Sequence, residues 1–66
     1  MQLLSTAPTL DAIRDCVGRF YCGQSMTLIP AGEGKWSIQS TYDGVTVEGV
    51  HVVKKRNRYR FESTNS

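Results

Sequence analysis

The chain has 66 residues, eight Lys or Arg against six Asp or Glu for a formal charge of +2, two cysteines and one histidine. A domain this small buries only about 60% of the surface its unfolded chain would expose, so a single modest core of marginal stability is expected. No stretch approaches the roughly 18 apolar residues of a membrane span, and the opening MQLLSTAP lacks the basic start and apolar run of a secretory signal, so the expectation is a cytoplasmic domain with no membrane contact.

Residues 1–8 read as an extended N-terminal segment ahead of a folded core over 9–62. Thr9 follows Pro8 and precedes apolar residues at 10, 13, 17 and 20, the spacing of one helical face. Thr9 is therefore the expected N-cap of a helix from Leu10 to about Cys22, with Asp11 a favourable charge in its first turn and Gly23 suited to its end. Asp11 with Arg14, and Asp15 with Arg19, have the spacing of helix-surface ion pairs worth roughly 0.2–0.5 kcal/mol each. Gly18 inside the helix marks either a close backbone approach or a tolerated defect costing about 1 kcal/mol relative to alanine. Cys16 and Cys22 lie six residues apart on this helix, about 9 Å by its rise, too far for a disulfide. With one histidine and no CxxC spacing, no metal site is expected. No cofactor is indicated.

Downstream the period changes to two. Met26 to Pro30 reads as a strand, AGEGK as a hairpin loop, and Trp36 to Tyr42 as a second strand with Trp36, Ile38 and Tyr42 on one side. Asp43-Gly44 has the chemistry of a two-residue turn. The third strand, Val45 to Lys54, changes phase at Gly49, and a bulge there would return Val45, Val47, Val50 and Val52 to one face. Lys55-Arg56-Asn57 forms the next turn. Arg58 to Glu62 closes the pattern, with Tyr59 and Phe61 inward and Arg58, Arg60 and Glu62 outward, and 63–66 is expected to fray. The predicted fold is α+β: one N-terminal helix packed on one face of a four-stranded antiparallel meander, in the order α-β-β-β-β. Its expected core is Trp36, Ile38, Val47, Val52, Phe61, Ile13, Val17 and Phe20.

The charge is asymmetric. Residues 1–53 hold three Lys or Arg against five Asp or Glu, net −2, whereas residues 54–66 hold five against Glu62 alone, net +4. Attraction for an acidic partner therefore concentrates in the C-terminal hairpin.

Catalysis finds little support. Neither cysteine has a partner in sequence that would lower its pKa, His51 reads as a solvated residue on the open sheet face, and the carboxylates are scattered. AGEGK lacks the strand-loop-helix setting and full spacing of a phosphate-cradling loop. Pleating sends Tyr59 and Phe61 away from Arg58 and Arg60, so these rings and cations do not share one stacking surface for a single-stranded nucleic acid. The function expected is a small non-enzymatic protein-binding module, an adaptor, inhibitor or accessory factor. It would dock on another protein with an acidic surface through the open sheet face and the basic hairpin: Lys54, Lys55, Arg56, Arg58, Arg60, His51 and Gln39. The alternative is nucleic-acid binding by the same hairpin. Basic hairpins are also common solvated surfaces, and basic residues protect exposed strand edges; together these are the plainest explanation of the ridge. The uncovered sheet face and an open edge at the first or last strand add a homodimer as a further expectation.

Overall fold

The structure, a computed structural model, describes residues 2–64. Six elements follow in order: β1 (Gln2–Ala7), α1 (Leu10–Phe20), β2 (Met26–Gly32), β3 (Lys35–Ser40), β4 (Thr46–Lys55) and β5 (Arg58–Ser63). They form one antiparallel sheet of five strands in the order β1-β5-β4-β3-β2, with α1 packed across one face. The α+β class and the meander of β2 to β5 agree with the sequence. The strand number does not.

The fifth strand is the N-terminal segment. β1 pairs antiparallel with β5, Ala7 opposite Tyr59 and Gln2 opposite Ser63, so residues 2–7 belong to the sheet rather than preceding it. The pairing slips between Leu3 and Ser5, which breaks the period-two signal in so short a strand. Its consequence is topological: the last strand is flanked on both sides, and the edges are β1 and β2.

Helix α1 begins where its cap requires. Thr9 is extended, and its Oγ1 accepts a hydrogen bond from Ala12 N at 3.1 Å. The helix stops at Phe20, two residues earlier than the pattern suggests. Gly23 N donates to Gly18 O at 2.8 Å and Cys22 N to Arg19 O at 3.1 Å, the paired bonds of a Schellman termination. Gly23 is left-handed as its residue type suggests, with φ 83°, and Cys22 before it is left-handed too, with φ 60°, at the position normally given to glycine. Both cysteines are free thiols, Cys16 partly buried and Cys22 exposed.

Ile13 and Val17 from α1 pack with Ile38, Val52, Phe61, Met26 and Ala7 in the buried core. Trp36 and Val47 are partly buried against it. Phe20 differs from expectation: it is 51% exposed, although its ring meets Phe61 edge-on at 5.3 Å. Its position in the last helical turn carries it past the sheet. Ala7 and Met26 complete the core because β1 and β2 close its two sides.

Two of the turns join directly paired residues, and one does not. Glu33-Gly34 connects Gly32 to Lys35 as a tight hairpin. Arg56-Asn57 connects the paired Lys55 and Arg58. Between Ser40 and Thr46, however, Asp43-Gly44 sits within a five-residue loop rather than a two-residue turn. Gly44 N donates to Ser40 O and Val45 N to Asp43 Oδ1, so the chain turns on local bonds and leaves Tyr42 and Val45 exposed. The bulge at Gly49 is present: pairing moves from Ser37–His51 to Gln39–Thr46, and Gly49 has φ 83°. It brings Val47, Val50 and Val52 to the core but not Val45. Of the C-terminal residues expected to fray, Ser63 belongs to β5 and Thr64 N donates to Gly49 O at 2.7 Å. Residues 65 and 66 lie outside the described residues.

Candidate functional site

The face of the sheet away from α1 is organised in cross-strand rows. One row crosses all five strands through Leu3, Glu62, His51, Ser37 and Ile29. The neighbouring row, nearer the Arg56-Asn57 turn, runs Thr6, Arg60, Val53, Lys35 and Gly32. Beyond it Lys55 and Arg58 face each other. Because alternate residues share a face, Lys35, Lys55, Arg58 and Arg60 all stand on this side at one end of the sheet.

The first row has a polar centre. Glu62 is 6% exposed and His51 9% exposed, with His51 Nε2 at 3.3 Å from Glu62 Oε1. Arg60 Nε lies 2.9 Å from Glu62 Oε2, an ion pair in which the N–H is not aligned as a hydrogen bond. His51 is thus not the solvated residue expected from its strand position. It lies on a central strand between Ser37 and Glu62, where neighbouring side chains about 4.8 Å apart shield it. It offers a partner little surface. Gln39 is also engaged, its Nε2 donating to Gly44 O at 2.9 Å, so it holds the β3–β4 loop.

The cations cluster differently. Thr6, Lys55, Arg56, Arg58 and Arg60 bound a shallow basin of about 430 Å³. Arg58 Nη2 donates to Thr6 Oγ1 at 3.2 Å across the β1–β5 pairing. Thr6 is a member of the site that sequence reasoning missed, because nothing local to STA indicates a partner more than fifty residues away. Arg56 occupies the turn with φ 57°, a conformation that favours glycine or asparagine.

Lys54 points the other way. It pairs with Tyr59, its Nζ lies 5.9 Å from that ring's centroid, and Tyr59 lies 5.6 Å from Trp36. A second shallow depression includes Trp36, Tyr59, Lys54 and Arg56. The separation of rings from cations therefore holds for Arg58 and Arg60 but not for Lys54 and Arg56. Cations surround the hairpin end on both faces.

Comparison with protein families, curated proteins and solved structures finds no match. The site's chemistry must come from its own residues.

A further depression, between α1 and β2, has a balanced lining in which Asp11 pairs with Arg14 at 3.4 Å and Asp15 with Arg19 at 3.6 Å. Its opposite charges neutralise one another. Burial pushes the Tyr21 phenol above its usual range, but this residue follows the helix and takes no part in the hairpin. Among the described residues, no group of three or more His, Cys, Asp or Glu is placed to hold a metal ion, and no helix is long and apolar enough to cross a membrane.

Proposed function

We propose that this chain is a non-enzymatic binding module that docks the basic end of its sheet on an acidic surface of another protein. The observation that carries the reading is the position of β5 inside the sheet. Charges on an edge strand need no further explanation, because they discourage edge-to-edge pairing. Arg58 and Arg60 lie on an interior strand, covered by β1 on one side and β4 on the other, so edge protection does not account for them. Neither edge strand carries a charged residue between Gln2 and Ala7 or between Met26 and Gly32.

The turn supports the same reading. A non-glycine residue in the left-handed region costs about 1–2 kcal/mol, yet an arginine stands there between further cations. Such local strain favours a role in display at the hairpin tip. Acidic partners would be steered to this end before contact, with association weakened by salt.

The test is binding of a polyglutamate peptide, compared between the parent and a Lys55→Glu, Arg58→Glu double variant. Both positions are exposed, and neither contacts Glu62, so the reversal should leave the melting temperature within a few degrees while reducing affinity on the order of tenfold or more. Arg60 is left intact because reversing it would set two carboxylates side by side. Equal affinity for both proteins contradicts the proposal.

A second reading has its own observation. Trp36 and Tyr59 with Lys54 and Arg56 place rings and cations on one surface, an arrangement able to stack a base and hold a phosphate. Nucleic-acid binding by the hairpin would then fall with salt and with Trp36→Ala, whereas polyglutamate binding would not depend on Trp36. Self-association through an uncharged edge is a separate proposal, which light scattering across concentrations decides.

A further inference from the structure

We infer that the basin bounded by Thr6, Lys55, Arg56, Arg58 and Arg60 is a seat for one dianionic phosphoryl group, carried on a phosphorylated side chain of the partner protein. This rests on the docking reading above and specifies its ligand. Three features distinguish the basin from a generally positive surface.

The first is the charge left to be matched. Four cations border the basin, and the contacting acid is Glu62, set against Arg60. Glu62 Oε1 also lies 3.3 Å from His51 Nε2. One carboxylate from a ligand would leave most of the positive charge unmatched. A phosphomonoester brings about −1.5 to −2 charges and three acceptor oxygens in one compact group.

The second is the arrangement of donors. Arg58 and Arg60 are two apart on one strand, which puts them on the same face roughly 7 Å apart along it. Lys55 stands opposite Arg58, and Arg56 follows at the tip. Guanidinium groups offer planar paired donors that match phosphate oxygens.

The third is Thr6. Its oxygen accepts from Arg58 Nη2, and a hydroxyl that accepts one bond still has its own proton to donate. An anion in the basin can receive that proton's hydrogen bond. Higher on this face the adjoining residues are Val53, His51 and Ser37, and Val53 separates Arg60 from Lys35, so the basin's cations are set apart from the next one on this face. A closed group of donors suits one phosphoryl group better than the evenly strung single charges of a nucleic-acid backbone.

The test uses the full chain labelled with ¹⁵N and three peptides identical except for one central residue: phosphoserine, glutamate or serine, each flanked by two glutamates. The phosphoserine peptide should bind about tenfold or more tightly than the glutamate peptide, with the largest amide shifts at Thr6, Lys55, Arg58 and Arg60. Thr6→Val, which keeps a β-branched residue in the strand, should reduce phosphopeptide affinity by about three- to tenfold and glutamate-peptide affinity by clearly less. Phenyl phosphate should compete with the phosphopeptide, and benzenesulfonate at equal ionic strength should not. Equal binding of the phosphoserine and glutamate peptides would overturn the phosphoryl seat while leaving acidic docking intact. Binding of none of the peptides, nor of polyglutamate, would overturn both. Tighter binding of a twelve-nucleotide single strand than of the phosphopeptide would overturn the seat in favour of nucleic acid.

Discussion

Arg60 and Glu62 stand two residues apart on the same face of β5, with Arg60 Nε 2.9 Å from Glu62 Oε2 and the carboxylate almost wholly buried. The pair links the polar centre of the open face to the basic end of the sheet, since Glu62 also meets His51 and Arg60 borders the basin. A buried carboxylate is tolerable here because two cationic or ionisable neighbours compensate its lost hydration. Glu62→Gln removes the charge while keeping the shape. It should cost about 1–3 kcal/mol in urea unfolding at pH 7, because Arg60 loses its ion partner but remains wet enough to recover some hydration. An unchanged midpoint would mean that the pair contributes nothing to stability.

The helix and its termination each contain one correctable defect. A Cβ on Gly18 would have Gln24 O at 3.6 Å as its nearest neighbour, an ordinary contact, so the glycine is not required by close approach. Gly18→Ala should stabilise by about 0.5–1 kcal/mol through helix propensity. Cys22→Gly should add a similar increment of about 0.5–1 kcal/mol by relieving the left-handed residue. Thermal melts of the single and double variants check both values and their additivity.

Phe61 and Phe20 touch each other, yet their replacements should differ. Phe61 is fully buried at the centre of the core, and Phe61→Ala should cost about 3–5 kcal/mol, a large part of what so small a domain can possess. Phe20→Ala removes a half-exposed ring and one edge-on contact, with an expected loss of about 1 kcal/mol. Chemical denaturation of both variants gives the comparison. Similar losses would place Phe20 in the core after all.

Stability and docking should oppose each other at the hairpin tip. Arg56→Gly removes a side chain from the left-handed region and should stabilise by about 0.5–1 kcal/mol. The same change should weaken polyglutamate binding about three- to tenfold by removing one cation from the docking end. Melting temperature and affinity measured on one preparation separate the two effects.

Much of the helix and the C-terminal hairpin was legible from local chemistry. Thr9 marks the helix start because its side chain satisfies a free backbone donor, and apolar spacing reports the face carrying Ile13 and Val17. β1 was not legible: its register slip between Leu3 and Ser5 breaks the alternation, and its stability comes from β5, far along the chain. Missing β1 made β5 an edge, hid Thr6 and made the basic residues look like edge protection. The burial of His51 and Glu62 was not visible. The sequence suggests a turn at 55–57, whereas the two-residue loop at 56–57 pairs Lys55 with Arg58 and sets His51 opposite Glu62, and a polar residue on an uncovered face reads locally as solvated. Cys22 shows a different limit, since Gly23 is left-handed as its residue type suggests but the termination makes the preceding Cys22 left-handed as well.

Docking through the basic end is tested most directly by titrating ¹⁵N-labelled protein with polyglutamate and mapping the amide shifts. The largest saturable changes should fall at Thr6 and from Lys54 to Arg60, diminish with added salt, and leave α1 and the β3–β4 loop nearly unmoved. Saturable shifts centred on α1 and β2, with the hairpin unmoved, would contradict the account.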